Sequence, residues 1–491
     1  MSEIPFQSAV TLAKAIQTGQ LLSEDVVKAI YQHIERYNPK VNAVVELLDK
    51  EKALAMARAR DEQVKRGESV GPLHGMPITV KESFDVDGMV SVNGTSALVN
   101  NRVSTDAALV KRLKEAGAIM IGKTNAPFTL MDWQSNNKWY GQTNNPHHLD
   151  HVPGGSSGGS AAALASGFSP LEIGSDVGGS IRVPAHFCGV CGLRPTEGAL
   201  PSRGHAAIPK GGHGMVPEMP RIGRLMTVVG PLARSVEDLL FLTEVLWGKE
   251  MEYGEVAPVP FTSSGWEESQ GLKIAYSTIM GGRELDEEYL SIYRGFLDKL
   301  SDFEPKEAQP EFDNDKLIEL WGQIMGYDMQ ASLPPIPFVK WMWYFFVSMR
   351  WKDKKWARGN RLGIGNSAKK HAFVLEEKDL VRDTFISFFK EWDIWLTPVA
   401  AIPAYQHMRV GTPHVINGKK VPYTEALTPY NFTTTVPGHP VVVIPIGRTS
   451  KGLPVGVQIH GGPWQDRKIL QIAKYLEQFT EGFQKPELFA S

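Results

Sequence analysis

The chain has 491 residues, with 52 Lys and Arg against 54 Asp and Glu, for a formal charge of −2. That near balance leaves no basic field to draw a nucleic-acid backbone, and no apolar run reaches the ~18 residues of a membrane span, so neither is expected. The start, Met1-Ser2-Glu3-Ile4-Pro5-Phe6, lacks the cationic and apolar parts of a secretory signal, which makes a cytoplasmic protein the expectation.

Length alone allows two or three domains, but alternating strand and helix signals let one large α/β unit exceed the usual domain size. Ser23-Glu24-Asp25 opens an amphipathic helix with Val26, Val27, Ile30, Tyr31 and Ile34 on one face, and Ala53 to Gln63 continues as a second helix before a break at Gly71. Pro77 to Lys81, Ile119 to Lys123 and Leu171 to Ser175 read as short buried strands, separated by helices at Ala107 to Ala116 and Gly158 to Gly167. That alternation predicts a mixed, mostly parallel central sheet covered by helices on both faces. His205 to Arg221 is too rich in Gly, Pro and His for regular structure and reads as a surface loop.

Ser235 caps a helix through Leu246, and Leu272 to Tyr276, Trp395 to Val399, Val441 to Pro445 and Val455 to Ile459 add strands, so both ends of the chain feed one sheet. The expected organisation is a helical segment at 1–70, a core at 71–200, a loop-rich continuation at 201–285, a helical cap insertion at 286–390, and strands and a helix at 391–491 that complete the domain. The insertion carries an aromatic run at 338–346, with Trp351 following. Four readings of that run stay open: a cover over a pocket mouth, a contact between protein chains, a membrane-surface contact, or buried helix packing.

The two cysteines, Cys188 and Cys191, lack the further ligands of a zinc site and read as small buried side chains. His147, His148 and His151 lie in an Asn/Pro/Asp-rich loop where solvated polar residues are the default, so no metal is expected. The chemistry concentrates elsewhere. Lys81 closes an apolar run, and Ser156 and Ser180 sit among glycines in Gly154-Gly155-Ser156-Ser157-Gly158-Gly159-Ser160 and Asp176-Val177-Gly178-Gly179-Ser180-Ile181-Arg182. A phosphate-cradling loop is the rival reading of the first segment, but no lysine stands where such a loop needs one. Lys123 reads as structural or near the rim.

These three segments resemble the amidase signature family, together with Pro184-Ala185, Cys188-Gly189 and Leu193-Arg194-Pro195-Thr196; the signature covers about 71–198. The resemblance implies a Ser/cis-Ser/Lys triad with Ser180 as nucleophile, Ser156 as bridging hydroxyl behind a cis Gly155–Ser156 peptide, and Lys81 as base. A buried, uncharged lysine can take the nucleophile's proton through the intermediate hydroxyl. The N–H groups of Val177, Gly178, Gly179 and Ser180 are expected to receive the oxyanion. Asp176 and Arg182 are expected to hold the shape of the turn, with Thr79 and Ser157 as supporting hydroxyls. Phe128, Met131, Trp133 and Gly155 are the substrate-binding candidates, although core packing suits the first three equally well. No cofactor is expected.

The expected partner is a small-molecule amide; homodimerisation stays open. Two functional classes follow: a stand-alone hydrolase of apolar amides, or a component that feeds ammonia to a tRNA-dependent amidotransferase or scaffolds a partner.

Overall fold

The computed structural model describes residues 3–206, 225–247, 253–268, 271–330 and 354–490. The helix Ser23–Val41 forms because Glu24 and Asp25 complement its N-terminal dipole while Val26, Val27, Ile30, Tyr31 and Ile34 share a buried face. Asp61, on the helix Lys50–Lys65, accepts the otherwise unpaired N–H groups of Ser23 at 2.7 Å and Glu24 at 3.1 Å. Ser23 Oγ in turn donates to Gly75 O at 2.5 Å. The N-terminal helices are thereby anchored just ahead of the strand that carries Lys81.

That strand belongs to a small sheet of β1 (Val44–Leu47), β2 (Pro77–Lys81) and β3 (Ile119–Thr124), ordered β1-β3-β2, with β2 parallel and β1 antiparallel to β3. Every residue of β2 and β3 is buried, so two lysines, Lys81 and Lys123, carry their amines into the interior.

The larger sheet comprises β4 (Leu171–Asp176), β5 (Cys191–Arg194), β6 (Val228–Ala233), β7 (Ile274–Tyr276), β8 (Lys306–Glu307), β9 (Ile394–Pro398), β10 (Val441–Arg448) and β11 (Pro454–His460). Their order is β8-β7-β9-β11-β10-β5-β6-β4. The sheet is mixed, as expected, but two expectations need correction: Pro77–Lys81 and Ile119–Thr124 lie in the separate small sheet, so the larger one draws only on strands between Leu171 and His460, and strand direction differs. Only β8–β7 and β7–β9 pair in parallel, and the remaining pairings are antiparallel.

The reason is local. β5 and β6, interrupted by Gly and Pro, carry no clear strand pattern in sequence, yet they fill the space between β4 and β10. β10 and β11 are joined by a tight turn at Thr449 and Gly452, which permits only antiparallel pairing. The unbroken apolar runs that suggest parallel strands arise because both faces of this antiparallel region are covered: every residue of β4, β5, β6, β9 and β11 is buried.

Among the described residues, the stretch read as an insertion holds the α-helices Glu287–Lys299, Asn314–Gln330, Lys354–Gly365 and Ala368–Glu391. The first packs on the larger sheet, its buried Tyr289 and Tyr293 donating to Gly456 O at 2.7 Å and Leu396 O at 3.0 Å. The next two meet backbone to backbone. A Cβ at Gly326 would stand 2.3 Å from Asn360 O, and one at Gly363 2.2 Å from Gln323 O, so glycine alone permits this approach. The aromatic run at 338–346 and Trp351 lie outside the described residues, as does most of the Gly/Pro/His stretch.

Candidate active site

Lys81 ends β2 and is fully buried. Its Nζ donates to Ser156 Oγ at 2.7 Å and to Ser175 Oγ at 2.9 Å. Burial pulls its pKa down to about 7, against the opposing attraction of Glu82 and Asp176. The amine is therefore largely uncharged in mildly alkaline solution and able to accept a proton.

Ser156 is held by a loop with no spare room. The Gly155–Ser156 peptide is cis, and Gly154 lies at φ +84° with Pro184 Cα 2.7 Å from where a Cβ would stand. A Cβ on Gly155 would stand 2.4 Å from Asp132 O, so Gly155 acts as a spacer against the Asp132–Trp133 backbone. Ser157 stitches this loop to the others: its N–H donates to Ser180 O at 3.1 Å, and its Oγ accepts the Ser175 N–H at 3.3 Å.

Ser180 sits in the turn between β4 and the short helix Arg182–Cys188, and at 8% exposure it is the most open of the three, against 2% for Ser156 and 0% for Lys81. Asp176 organises the turn. Its carboxylate accepts the Gly179 N–H at 2.9 Å, the Ile181 N–H at 3.1 Å, and Arg182 Nε and Nη2 at 3.0 and 2.9 Å. Burial acts to raise the Asp176 pKa, but the Arg182 and Arg194 guanidiniums outweigh it and hold the carboxyl well below the usual range. Arg182 also donates to Thr434 Oγ1 at 2.5 Å, Thr435 Oγ1 at 2.8 Å and Gln458 Oε1 at 3.1 Å, which ties the turn to β11 and the helix Thr428–Thr435.

Two expected roles change. The Gly179 N–H is committed to Asp176, so it is not a free oxyanion donor, whereas those of Val177, Gly178 and Ser180 have no acceptor among the described residues. Thr79 donates its hydroxyl to Glu172, not to the relay, in a buried cluster where burial pushes the Glu172 carboxyl up to about 8 against the Thr79 hydrogen bond. Among the described residues no hydrogen bond joins Ser156 Oγ to Ser180 Oγ; the link that is formed runs from Lys81 to Ser156.

An aromatic wall stands over the turn. Trp133 Nε1 donates to Gly178 O at 3.0 Å, and Trp321 Nε1, from the helix Asn314–Gln330, donates to Val177 O at 2.7 Å. Phe432 stacks on Trp321 with ring centroids 3.8 Å apart, and its ring leaves no room for a Cβ at Gly178. Of the substrate-binding candidates, Trp133 thus reaches the turn, while Phe128 is exposed and Met131 half-buried beside it. Sequence reasoning misses Ser175, Trp321 and Phe432. Ser175 adjoins Asp176 and so carries a weak signal, but the two aromatics lie far away in sequence and carry none.

Lys123 is buried and donates to Val90 O at 2.7 Å and Ser91 Oγ at 2.9 Å. Cys188 and Cys191 are free and buried, and burial pushes both thiols up. His148 and His151 both turn Nδ1 to the Asp150 carboxylate.

The sequence matches the family profile described as Amidase over residues 25–470. It is 30% identical over 502 residues to the A component of the glutamyl-tRNA(Gln) amidotransferase of Lachnospira eligens, covering 97% of this chain and 99% of the relative. It is also 30% identical over 516 residues to fatty-acid amide hydrolase 2 of Homo sapiens, covering 98% and 90%. The solved crystal structure of an amidase superposes with a TM-score of 0.77 at 25% identity, covering 96% of this chain and 100% of the other.

Proposed function

The chain belongs to the Amidase family and is an amide hydrolase acting on carbon–nitrogen bonds other than peptide bonds, and from that premise we propose that it works alone, on amides with apolar acyl groups, through an acyl-enzyme at Ser180. The observation that carries this reading is the 2.7 Å contact between Ser156 Oγ and the buried amine of Lys81.

Ser180 Oγ attacks the amide carbon as its proton passes to Ser156 Oγ and the Ser156 proton passes to Lys81 Nζ. The carbonyl oxygen becomes an oxyanion facing the N–H groups of Val177, Gly178 and Ser180, each worth about 3–4 kcal/mol in such a hole. The lysine ammonium then returns its proton through Ser156 to the leaving nitrogen, the carbon–nitrogen bond breaks, and ammonia or an amine departs. Water, deprotonated along the same path, attacks the ester, and the acid leaves with Ser180 restored.

Trp133, Trp321 and Phe432 favour an apolar acyl group over the charged glutamine that an amidotransferase component takes. The test is purified chain without partners, given benzamide, hexanamide, acetanilide and glutamine. Release of ammonia or aniline from the first three, with acyl mass trapped on Ser180, is expected. Activity on glutamine alone, and only with partner proteins added, would reassign the chain to the second class.

A further inference from the structure

We propose that Trp321 is a positioning residue that sets the oxyanion hole from the cap, by holding the Val177 carbonyl so that the Gly178 N–H faces the reacting oxygen; this rests on the acyl-enzyme reading above. Peptide planarity couples the two groups. Among the described residues only Gly155–Ser156 is cis, so the 177–178 and 178–179 peptides are trans, and in each the C=O and N–H point to opposite sides of a rigid plane. Fixing the carbonyl therefore fixes the amide.

The two planes are fixed by two indoles. Trp133 Nε1 holds Gly178 O at 3.0 Å, and on the far side of that plane the Gly179 N–H meets Asp176 Oδ1 at 2.9 Å. Trp321 Nε1 holds Val177 O at 2.7 Å, and the Gly178 N–H on the far side of that plane has no acceptor among the described residues. The first plane is closed at both ends, whereas the second is closed at one end and open at the other. An open, oriented donor in the turn that carries Ser180 is what an oxyanion requires.

Trp321 is suited to this task because it cannot swing. It is 4% exposed and stacks on Phe432 at 3.8 Å, while Phe432 closes over Gly178, where a Cβ would fall 2.6 Å from the ring. Trp356, on the helix Lys354–Gly365, packs against it at 5.8 Å. The glycine-mediated contact between those two helices thus reaches the hole through one indole N–H, and a loosened cap turns the donor away.

Labelling of Ser180 by an alkyl fluorophosphonate separates chemistry from binding without a known substrate, because its phosphoryl oxygen occupies the same hole. In Trp321→Phe, which keeps an aromatic ring on Phe432 and loses the N–H, the maximal labelling rate is expected to fall about tenfold to hundredfold with the half-saturating concentration within about twofold and Tm little changed. Benzothienylalanine at position 321, which replaces only the N–H by sulfur, gives the same fall if the cavity left by phenylalanine unfolds the cap. An unchanged maximal rate in either variant, or a raised half-saturating concentration at an unchanged rate, overturns the proposal and makes Trp321 a pocket wall. Failure of the unsubstituted chain to label at Ser180 overturns instead the acyl-enzyme reading beneath it.

Discussion

Lys81 Nζ reaches Ser175 Oγ at 2.9 Å as well as Ser156 Oγ at 2.7 Å. A neutral amine has two hydrogens and one lone pair, so a hydrogen given to Ser175 leaves the lone pair to turn toward the Ser156 hydroxyl. Within the proposed relay, Ser175 orients the base. Ser175→Ala is expected to lower kcat about tenfold and to move the rising limb of the pH–rate profile to lower pH by a fraction of a unit, because an acceptor that favours the ammonium is gone. A profile that keeps both height and position would remove Ser175 from the relay.

The same lysine links activity and stability through pH. Its pKa falls from 10.5 in the unfolded chain to about 7 in the fold, so hydrolysis is expected to rise as pH passes through about 7 and the amine loses its proton. The sign for stability follows from linkage. Between those two values the unfolded chain binds the extra proton, so Lys81 lowers stability progressively as pH falls from 10.5 toward 7, and uniformly below it. Lys81→Met is therefore expected to lose about 10²–10⁴-fold in rate yet to melt a few degrees higher at pH 6 than the natural chain, with the gap narrowing by pH 10. Calorimetry at the two pH values checks this, and a lower Tm at pH 6 contradicts it.

Much of this site is readable from sequence because its parts are local. A Gly-Gly-Ser loop or an Asp-x-x-x-Ser turn is formed by its own backbone, and Lys81 lies at the end of an apolar strand whose burial its neighbours announce. The strands Pro77–Lys81 and Leu171–Asp176 are visible for the same reason. What sequence conceals is set by distant partners. β5 and β6 are strands only because β4 and β10 leave a gap for them, and the direction of the sheet depends on that. Thr79 reads as a hydroxyl supporting the site until Glu172, opposite it, takes its hydrogen bond. Trp321 meets Val177 from the helix Asn314–Gln330, whose docking no local pattern encodes.

Arg182 supports the turn through charge. Asp176 and Arg182 are both fully buried and joined at 2.9 and 3.0 Å, and Arg194 lies 3.8 Å from the same carboxylate. Removing one partner leaves a buried charge uncompensated, so Arg182→Met is expected to cost about 3–5 kcal/mol in denaturant unfolding. A loss under about 1 kcal/mol would mean that Arg194 and the Gly179 and Ile181 N–H groups suffice to hold Asp176.

Glu172 opposes Lys81 in sign. Burial raises its pKa from 4.5 to about 8, with the Thr79 hydrogen bond resisting. Between those values the folded chain holds a proton that the unfolded chain has lost, so this group's contribution is fully present below about 4.5 and disappears as pH rises through about 8. Glu172→Gln keeps the shape and an acceptor for Thr79 but cannot ionise. The variant is expected to match the natural chain near pH 5, where Glu172 is protonated in the fold, and to exceed it in Tm at pH 8.5, where a buried carboxylate must form. If the two melting curves stay parallel from pH 5 to pH 8.5, Glu172 is ionised throughout, and the Thr79 cluster holds a charge rather than a neutral acid beside the strand that carries the base.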